Sequence, residues 1–380
     1  MNHVRRYLDH AAGAPLRPEA ARAMAEIAES GATNPSSIHA PGRAARRIVE
    51  EARAILAARL DAPPAAVIFV ASGTEANATA LLGLALANGC TRIAHSAVEH
   101  ASIGASAIAS GLPVAVLPVD GRGRLDLQAA ASVLRGPRML VSVMHANNET
   151  GVYQPIADLA DLARAHGHLL HVDAAQTLGT APLGFAGSGV HAISVTAHKI
   201  GGPAGVGALV CDPALDLRPL VPGGGQERGR RGGTENVIGL AGFGAALAAC
   251  DPAAETALVE PLRGLLEAGL GRRPDAVIFG AGAARLAGTC LVAVPGLSAQ
   301  TVAMALDLQG IAVGTGPACS SGKVRASHVL AAMGVPADLA ACAVRISLGW
   351  SSTADDVAAF VSAWEALAER LVTKDLARAI

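Results

Sequence analysis

The sequence predicts an α/β protein in which a mainly parallel sheet lies between helices and a smaller α+β region follows. Three observations lead there. From Val67 to Gln176, short apolar runs alternate with helix-like segments, the pattern of repeated βα units. The polar residues of this stretch gather where the apolar runs end, the place where open parallel sheets bind ligands. After Asp251-Pro252 the alternation gives way to helices with isolated strands.

The elements follow in order. Tyr7 to His10 is a short extended entry, ended by Ala12-Gly13-Ala14-Pro15. Pro18 to Ser30 has helical spacing and stops at Gly31. Thr33-Asn34-Pro35-Ser36-Ser37 is a polar turn, with Asn34 a natural turn-former, before an amphipathic helix over 42–60. Val67-Ile68-Phe69-Val70 is a buried strand running into Ala71-Ser72-Gly73-Thr74-Glu75-Ala76-Asn77 and a helix to Ala87. Strand, small residues and helix start together suit an anion, because free amides and the helix dipole point at it. Strands are expected at 92–95, 114–118, 139–144 and 169–172, with a helix over 156–165. The strand from Ala192 to Val195 ends in Thr196-Ala197-His198-Lys199 and then glycines. The basic glycine-rich stretch from Gly223 to Asn236 reads as mobile, with Thr234 capping a helix to Cys250. Beyond Pro252 come helices over 255–270 and 298–308, strands near Val277, Leu291 and Ala343–Ser347, a short helix capped by Ser327, and a closing helix from Thr353. His166, His168 and His171 look like a metal cluster, but alternation along a strand separates them, and they read as surface and edge histidines.

Composition narrows the function. The chain has 380 residues, enough for two domains, and a formal net charge of −1, which gives no nucleic-acid or membrane surface. Its six cysteines are scattered without a Cys-x-x-Cys pair, as expected in a reducing compartment. The start, Met-Asn-His-Val-Arg-Arg-Tyr, lacks the apolar core of a signal peptide, so a cytoplasmic protein is expected.

Lys199 is the residue of most chemical interest. The chain holds only three lysines, Lys199, Lys323 and Lys374, among 30 basic residues, so a lysine at a mostly apolar strand end is conspicuous. Arginine cannot lose its proton or form an imine; a desolvated lysine can do both. Alone, Lys199 reads better as a snorkelling side chain at a strand end than as a reactive one. The constellation at the strand ends includes Asn148, Asp173, Gln176, Thr196, His198 and Lys199. Cys319 lies among Gly314, Gly316 and Gly322 with Lys323 and Arg325 close behind, an electropositive setting that favours a thiolate.

Five motifs in order resemble the cysteine desulfurases of the fold-type-I, pyridoxal-5′-phosphate-dependent class V aminotransferase superfamily. They are His-Ala-Asn-Asn-Glu-Thr-Gly (145–151), His-Val-Asp-Ala-Ala-Gln (171–176), Ala-His-Lys (197–199), Arg-Gly-Gly-Thr-Glu-Asn (231–236) and Ala-Cys-Ser-Ser-Gly (318–322). The resemblance implies a large pyridoxal-phosphate-binding domain over 15–257, and a small domain of 1–14 and 258–380 that carries the cysteine loop. It implies that Lys199 holds the cofactor through an imine and then moves protons, and that Asp173 pairs with the pyridine nitrogen. Gln176 and Asn148 would bond the ring oxygen or nearby substrate groups, and His100, otherwise a capping or core histidine, would stack on the ring and serve in proton transfer. Gly73, Thr74, Thr196 and His198 would hold the phosphate, joined by Thr234 from the other subunit of a homodimer. Arg345, otherwise a structural ion pair, would clamp the substrate carboxylate with help from Asn34. Cys319 would take sulfur from L-cysteine as a persulfide and pass it to a protein acceptor, an iron–sulfur scaffold or tRNA-thiolation enzyme. Selenocysteine lyase, another enzyme of the superfamily, or a silent binding paralogue are the alternatives; a silent copy has no chemical need for both Lys199 and Cys319. The sequence departs from the family at Val70, Ala71 and Ser72 in the phosphate loop, and at Pro317, which stiffens the loop before Cys319.

Overall fold

The computed structural model describes residues 5–315 and 327–378; Pro317, Cys319, Gly322 and Lys323 lie outside them. In chain order the elements are β1 (Arg6–Tyr7), α1 (Pro18–Glu29), α2 (Ala40–Arg59), β2 (Val67–Val70), α3 (Gly73–Ala78), β3 (Arg92–Ser96), α4 (Ala101–Ala109), β4 (Val114–Leu117) and α5 (Leu127–Val133). There follow β5 (Met139–Met144), α6 (Ile156–Ala165), β6 (Leu169–Asp173), β7 (Ala192–Thr196), β8 (Gly207–Cys211), α7 (Val237–Ala249) and α8 (Pro252–Leu270). The last third holds β9 (Val277–Phe279), β10 (Thr289–Ala293), α9 (Ala299–Asp307), β11 (Ile311–Ala312), α10 (His328–Ala332), α11 (Ala337–Ala340), β12 (Val344–Ser347) and α12 (Ala354–Arg378).

Seven strands make one sheet in the order β2-β8-β7-β6-β5-β3-β4. Its neighbours pair in parallel except around β8, which runs antiparallel to both β2 and β7. The carboxyl ends of β3, β5, β6 and β7 therefore meet on one edge, and Asp173 and Thr196 end two of those strands. Both faces are covered, by one apolar cluster that includes α2 and α7 and another that includes Leu81, Leu84 and Ile103. That two-sided burial explains why β5, β6, β7 and β8 are buried along their whole length rather than alternately.

Helix α7 is apolar all round and mostly covered, packing on both α1 and α2, with Ile238 left exposed. Gly242 permits the α1 contact: a Cβ there would lie 2.7 Å from Met24 Cγ. Phe243, Leu240 and Leu247 are buried beside it, each contributing on the order of 1.5–3 kcal/mol. The helix is capped by the Asn236 side chain, which accepts from Gly239 N at 3.0 Å. Thr234 is exposed two residues earlier, so its expected capping role is corrected.

A second sheet, β12-β10-β9, is antiparallel and has its own apolar core around Phe360, Trp364, Leu291 and Val344. β1 pairs in parallel with β11, tying the start of the chain to this later half. The stretch 223–236 is not the free loop its glycines suggest. Glu227 and Arg228 adopt positive φ (46° and 59°), and the buried Glu227 carboxylate binds both Arg53 guanidinium nitrogens at 2.9 Å. The surface reading of the histidines also fails. His166 is exposed, but His168 and His171 are buried, and the two nitrogens of His171 bond Ser142 Oγ at 2.9 Å and Ser194 Oγ at 2.8 Å.

Candidate active site

The strand-end edge brings together Asp173, Lys199, His100 and Arg345, the last delivered by β12 of the second sheet. Lys199 follows β7 in a single 3₁₀ turn, and its Nζ donates to the carbonyls of Ala11 and Ala12, the latter at 2.9 Å. Gln176 reaches the same segment, donating to Ala11 O at 3.0 Å. Burial pulls the Lys199 ammonium down to about 8; Arg345 adds to the shift, while Asp9 and Asp173 oppose it. Against its ordinary 10.5, this raises the uncharged amine at neutral pH by about two orders of magnitude. Such an amine is ready to attack a carbonyl.

Asp173 ends β6 with Oδ1 accepting from Ala175 N at 2.9 Å and Oδ2 accepting from Asn77 Nδ2 at 2.7 Å. Glu99 lies nearby, fully buried, its pKa pushed up to about 8 chiefly by burial and further by Asp173. Burial thus holds Glu99 neutral at the sheet edge. His100 caps α4, with Nδ1 2.7 Å from Ser102 Oγ and 3.2 Å from Ser102 N. Its pKa is lowered, first by desolvation, then by Lys199 and His328, against the opposing pull of Asp173.

The start of α3 forms an open cradle. Ser72 caps it by accepting from Glu75 N at 3.1 Å, and the Glu75 carboxylate accepts from Ala71 N at 2.8 Å, a reciprocal capping pair. Arg231 bonds Glu75 at 2.9 Å and so fastens the 223–236 stretch to this turn. Thr74 is exposed, and Gly73 faces Thr196, whose methyl-bearing carbon would lie 3.4 Å from an added Cβ. Thr196 Oγ1 is 2.9 Å from His198 Nδ1. Gly73, Thr74, Thr196 and His198 thus supply free backbone amides, hydroxyls and an imidazole around one helix start, a donor set that fits a phosphate.

Arg345 is buried, with Nη1 donating to Asn148 O at 2.7 Å and Nη2 to Asp9 Oδ1 at 2.8 Å. Its Nε is buried without a partner. Asn148 thereby contributes its backbone, and its side chain takes no part in that bond. Asn34 does not hydrogen-bond Arg345: its Oδ1 closes an exposed turn by accepting from Ser36 N at 2.9 Å. Thr234 is exposed.

Comparison with known proteins decides the family. The aminotransferase class-V model matches residues 6–360. A cysteine desulfurase of Cereibacter sphaeroides is 40% identical over 92% of this chain and 92% of its own length. The solved NifS-like protein of Rickettsia africae superposes with a TM-score of 0.89 at 33% identity, covering 96% of this chain and 99% of that one. The chain belongs to the cysteine desulfurases of the class-V aminotransferase family. Another solved relative, SspA in complex with cysteine, has a TM-score of 0.78 at 27% identity, covering 90% of this chain and 98% of its own. The α/β fold with a mainly parallel sheet is the fold-type-I architecture, and this family of enzymes works with pyridoxal phosphate. The desolvated Lys199, the buried Asp173 and the Gly73–Thr196 cradle fit that cofactor at its aldehyde, ring nitrogen and phosphate respectively.

Sequence reasoning gave no role to Asn77, Ser102, Asp9 or Glu99. Asn77 had a signal: it lies four residues after Gly73, on the same helical face as the cradle. Asp9 had one too, within the Tyr-Leu-Asp entry segment.

Proposed function

We propose that this enzyme converts L-cysteine to L-alanine, with the sulfur held as a persulfide on Cys319 and passed to a protein acceptor. The observation that carries this reading is the desolvated Lys199 beside Asp173 and Arg345 at the strand ends. Arg345 offers its guanidinium to the substrate carboxylate, with Nε free to donate. Lys199 accepts and returns protons at the substrate carbons, and Asp173 holds the ring nitrogen protonated. Pyridoxal phosphate, when bound, withdraws electrons from the substrate Cα and weakens the Cβ–S bond. The Cys319 thiolate attacks the substrate sulfur; the S–S bond forms as the Cβ–S bond breaks, and the substrate thiol proton ends on the new methyl group. The roles of Gln176 and Asn148 at the ring oxygen, and of His100 over the ring, complete the set.

Other cysteines compete poorly for this role. Burial pushes Cys211, Cys250 and Cys290 up to about 12 and raises Cys90, so their thiolates are scarce. A reducing, cytoplasmic setting keeps the Cys319 thiol free. We read the enzyme as a homodimer, with exposed Thr234 completing the partner's phosphate site, and residues 15–257 as one domain and 1–14 with 258–380 as the other. Separate apolar cores on the two sheets and the β1–β11 pairing support that division.

The test is mass spectrometry after brief L-cysteine treatment without reductant. We expect one added sulfur on Cys319 and stoichiometric alanine. Sulfur on Cys90, Cys211, Cys250, Cys290 or Cys342, with Cys319 unmodified, defeats the reading.

A further inference from the structure

A directed chain of hydrogen bonds runs from the Asp173 carboxylate to His100. Asn77 Nδ2 donates one proton to Asp173 Oδ2 at 2.7 Å and the other to Ser102 Oγ at 3.0 Å. The amide orientation is forced, because a carboxylate accepts and the amide oxygen placed there would face another oxygen. Ser102 has one hydroxyl proton, and its oxygen already accepts from Asn77. His100 Nδ1 lies 2.7 Å from that oxygen, and the backbone bond that follows makes this nitrogen the acceptor of the hydroxyl proton. The Ser102 backbone N–H donates to the same Nδ1 at 3.2 Å. Two donors on one nitrogen require its lone pair, so the neutral ring carries its proton on Nε2. A second observation agrees. Asn77 Oδ1 is buried without a partner, a costly arrangement tolerated for what the amide nitrogen does.

We propose that Asn77 and Ser102 are positioning residues that hold His100 as the Nε2–H tautomer, leaving that nitrogen, as a donor, for the ligand. This inference rests on the reading that places the cofactor beside His100. Protonating His100 would set a second proton against both Ser102 donors, so the same bonds hold the ring neutral. The charged or titratable groups facing it are Asp173, Lys199 and His328, and His328 bonds Glu99 O through Nε2 at 2.8 Å. The two halves of the proposed machinery are thereby coupled. The Asn77 amide that orders the Asp173 carboxylate also sets which nitrogen of His100 can donate.

The experiment is nitrogen-15 NMR of histidine-labelled full-length protein, with cofactor bound and after its removal, His100 being assigned by its loss in His100→Gln. We expect the Nε2–H pattern in the wild type in both states. Ser102→Ala should raise the proton affinity of His100 roughly fivefold, the worth of one hydrogen bond, and weaken the tautomer preference. Ser102→Thr should restore both, and Asn77→Leu should move them in the same direction as Ser102→Ala. A purely structural role would leave the ring tautomer unmoved in folded variants. An Nδ1–H signal in the wild type overturns the proposal whether or not any variant folds, as does a Ser102→Ala ring indistinguishable from wild type. Because the signals are read without cofactor as well, failure to turn over cysteine would count against the function and not against this inference.

Discussion

Two arginine–carboxylate pairs, one buried on both sides and one with a half-buried aspartate, show how the same chemistry can lock the fold in one place and leave a donor open in another. Arg53 meets Glu227 through two bonds of 2.9 Å, donates also to Val67 O at 2.9 Å, and lies 4.8 Å over the Phe69 ring. Glu227 takes a further bond from Phe69 N at 3.0 Å. Arg345 meets Asp9 through one bond of 2.8 Å, and its Nε has no partner. The first pair is saturated and pins the positive-φ turn at Glu227 and Arg228 to β2. The second is unsaturated and faces the one lysine at the strand ends. A saturated pair has nothing left to offer a ligand; an unsaturated buried guanidinium costs stability that a carboxylate can restore.

Removing one partner of the saturated pair should have the largest effect. Arg53→Met leaves Glu227 buried and unpaired, and urea unfolding should show a loss of about 3–5 kcal/mol. The kcat of the folded fraction should stay near wild type. Unchanged unfolding would erase the distinction between the pairs.

Arg345→Lys comes next. A lysine keeps the charge but presents no planar fork. The KM for L-cysteine should rise about 30- to 100-fold, equivalent to roughly 2–3 kcal/mol for a charge-assisted bond, while the urea midpoint moves little. Steady-state kinetics beside unfolding curves separate the two; a variant with a lowered urea midpoint and normal KM would make Arg345 a second structural pair.

The contrast also explains what was legible in the sequence. Asp173 and Lys199 stood out because they close apolar runs with chemistry a core has no use for, whereas Arg345 took its expected role only from the family resemblance. His171 misled because alternation marks an outward face only in a sheet covered on one side, and this sheet is covered on both. β8 was missed: its run from Gly207 to Cys211 is short, and the reversal before it turns on Gly205 at φ 79°. The glycine-rich 223–236 stretch looked free because Glu227 finds Arg53 from 174 residues away, a pairing no local pattern encodes. The Asn77–Ser102 chain was hidden for the same reason, since its members come from two helices and a strand end.

The smallest effect sharpens the comparison most. Gly314 pairs its backbone with that of Arg345, with N to O distances of 2.9 and 2.8 Å. A Cβ at Gly314 would lie 2.9 Å from Asp9 Oδ1, 3.0 Å from Arg345 Nη2 and 3.1 Å from Arg345 Nε. No positive φ marks this glycine, so the backbone accepts alanine and the cost falls on the pair. In Gly314→Ala the methyl group must push Asp9 and Arg345 apart by a few tenths of an ångström and cover the unpartnered Nε. We expect KM for L-cysteine to rise about three- to tenfold, near 1 kcal/mol, with kcat and the urea midpoint nearly unchanged. The control is Asp9→Asn, which weakens the same pair without adding bulk. If Gly314→Ala matches wild type while Asp9→Asn does not, the space beside Nε is not where the substrate carboxylate binds, and Arg345 meets its substrate through the Nη edge instead.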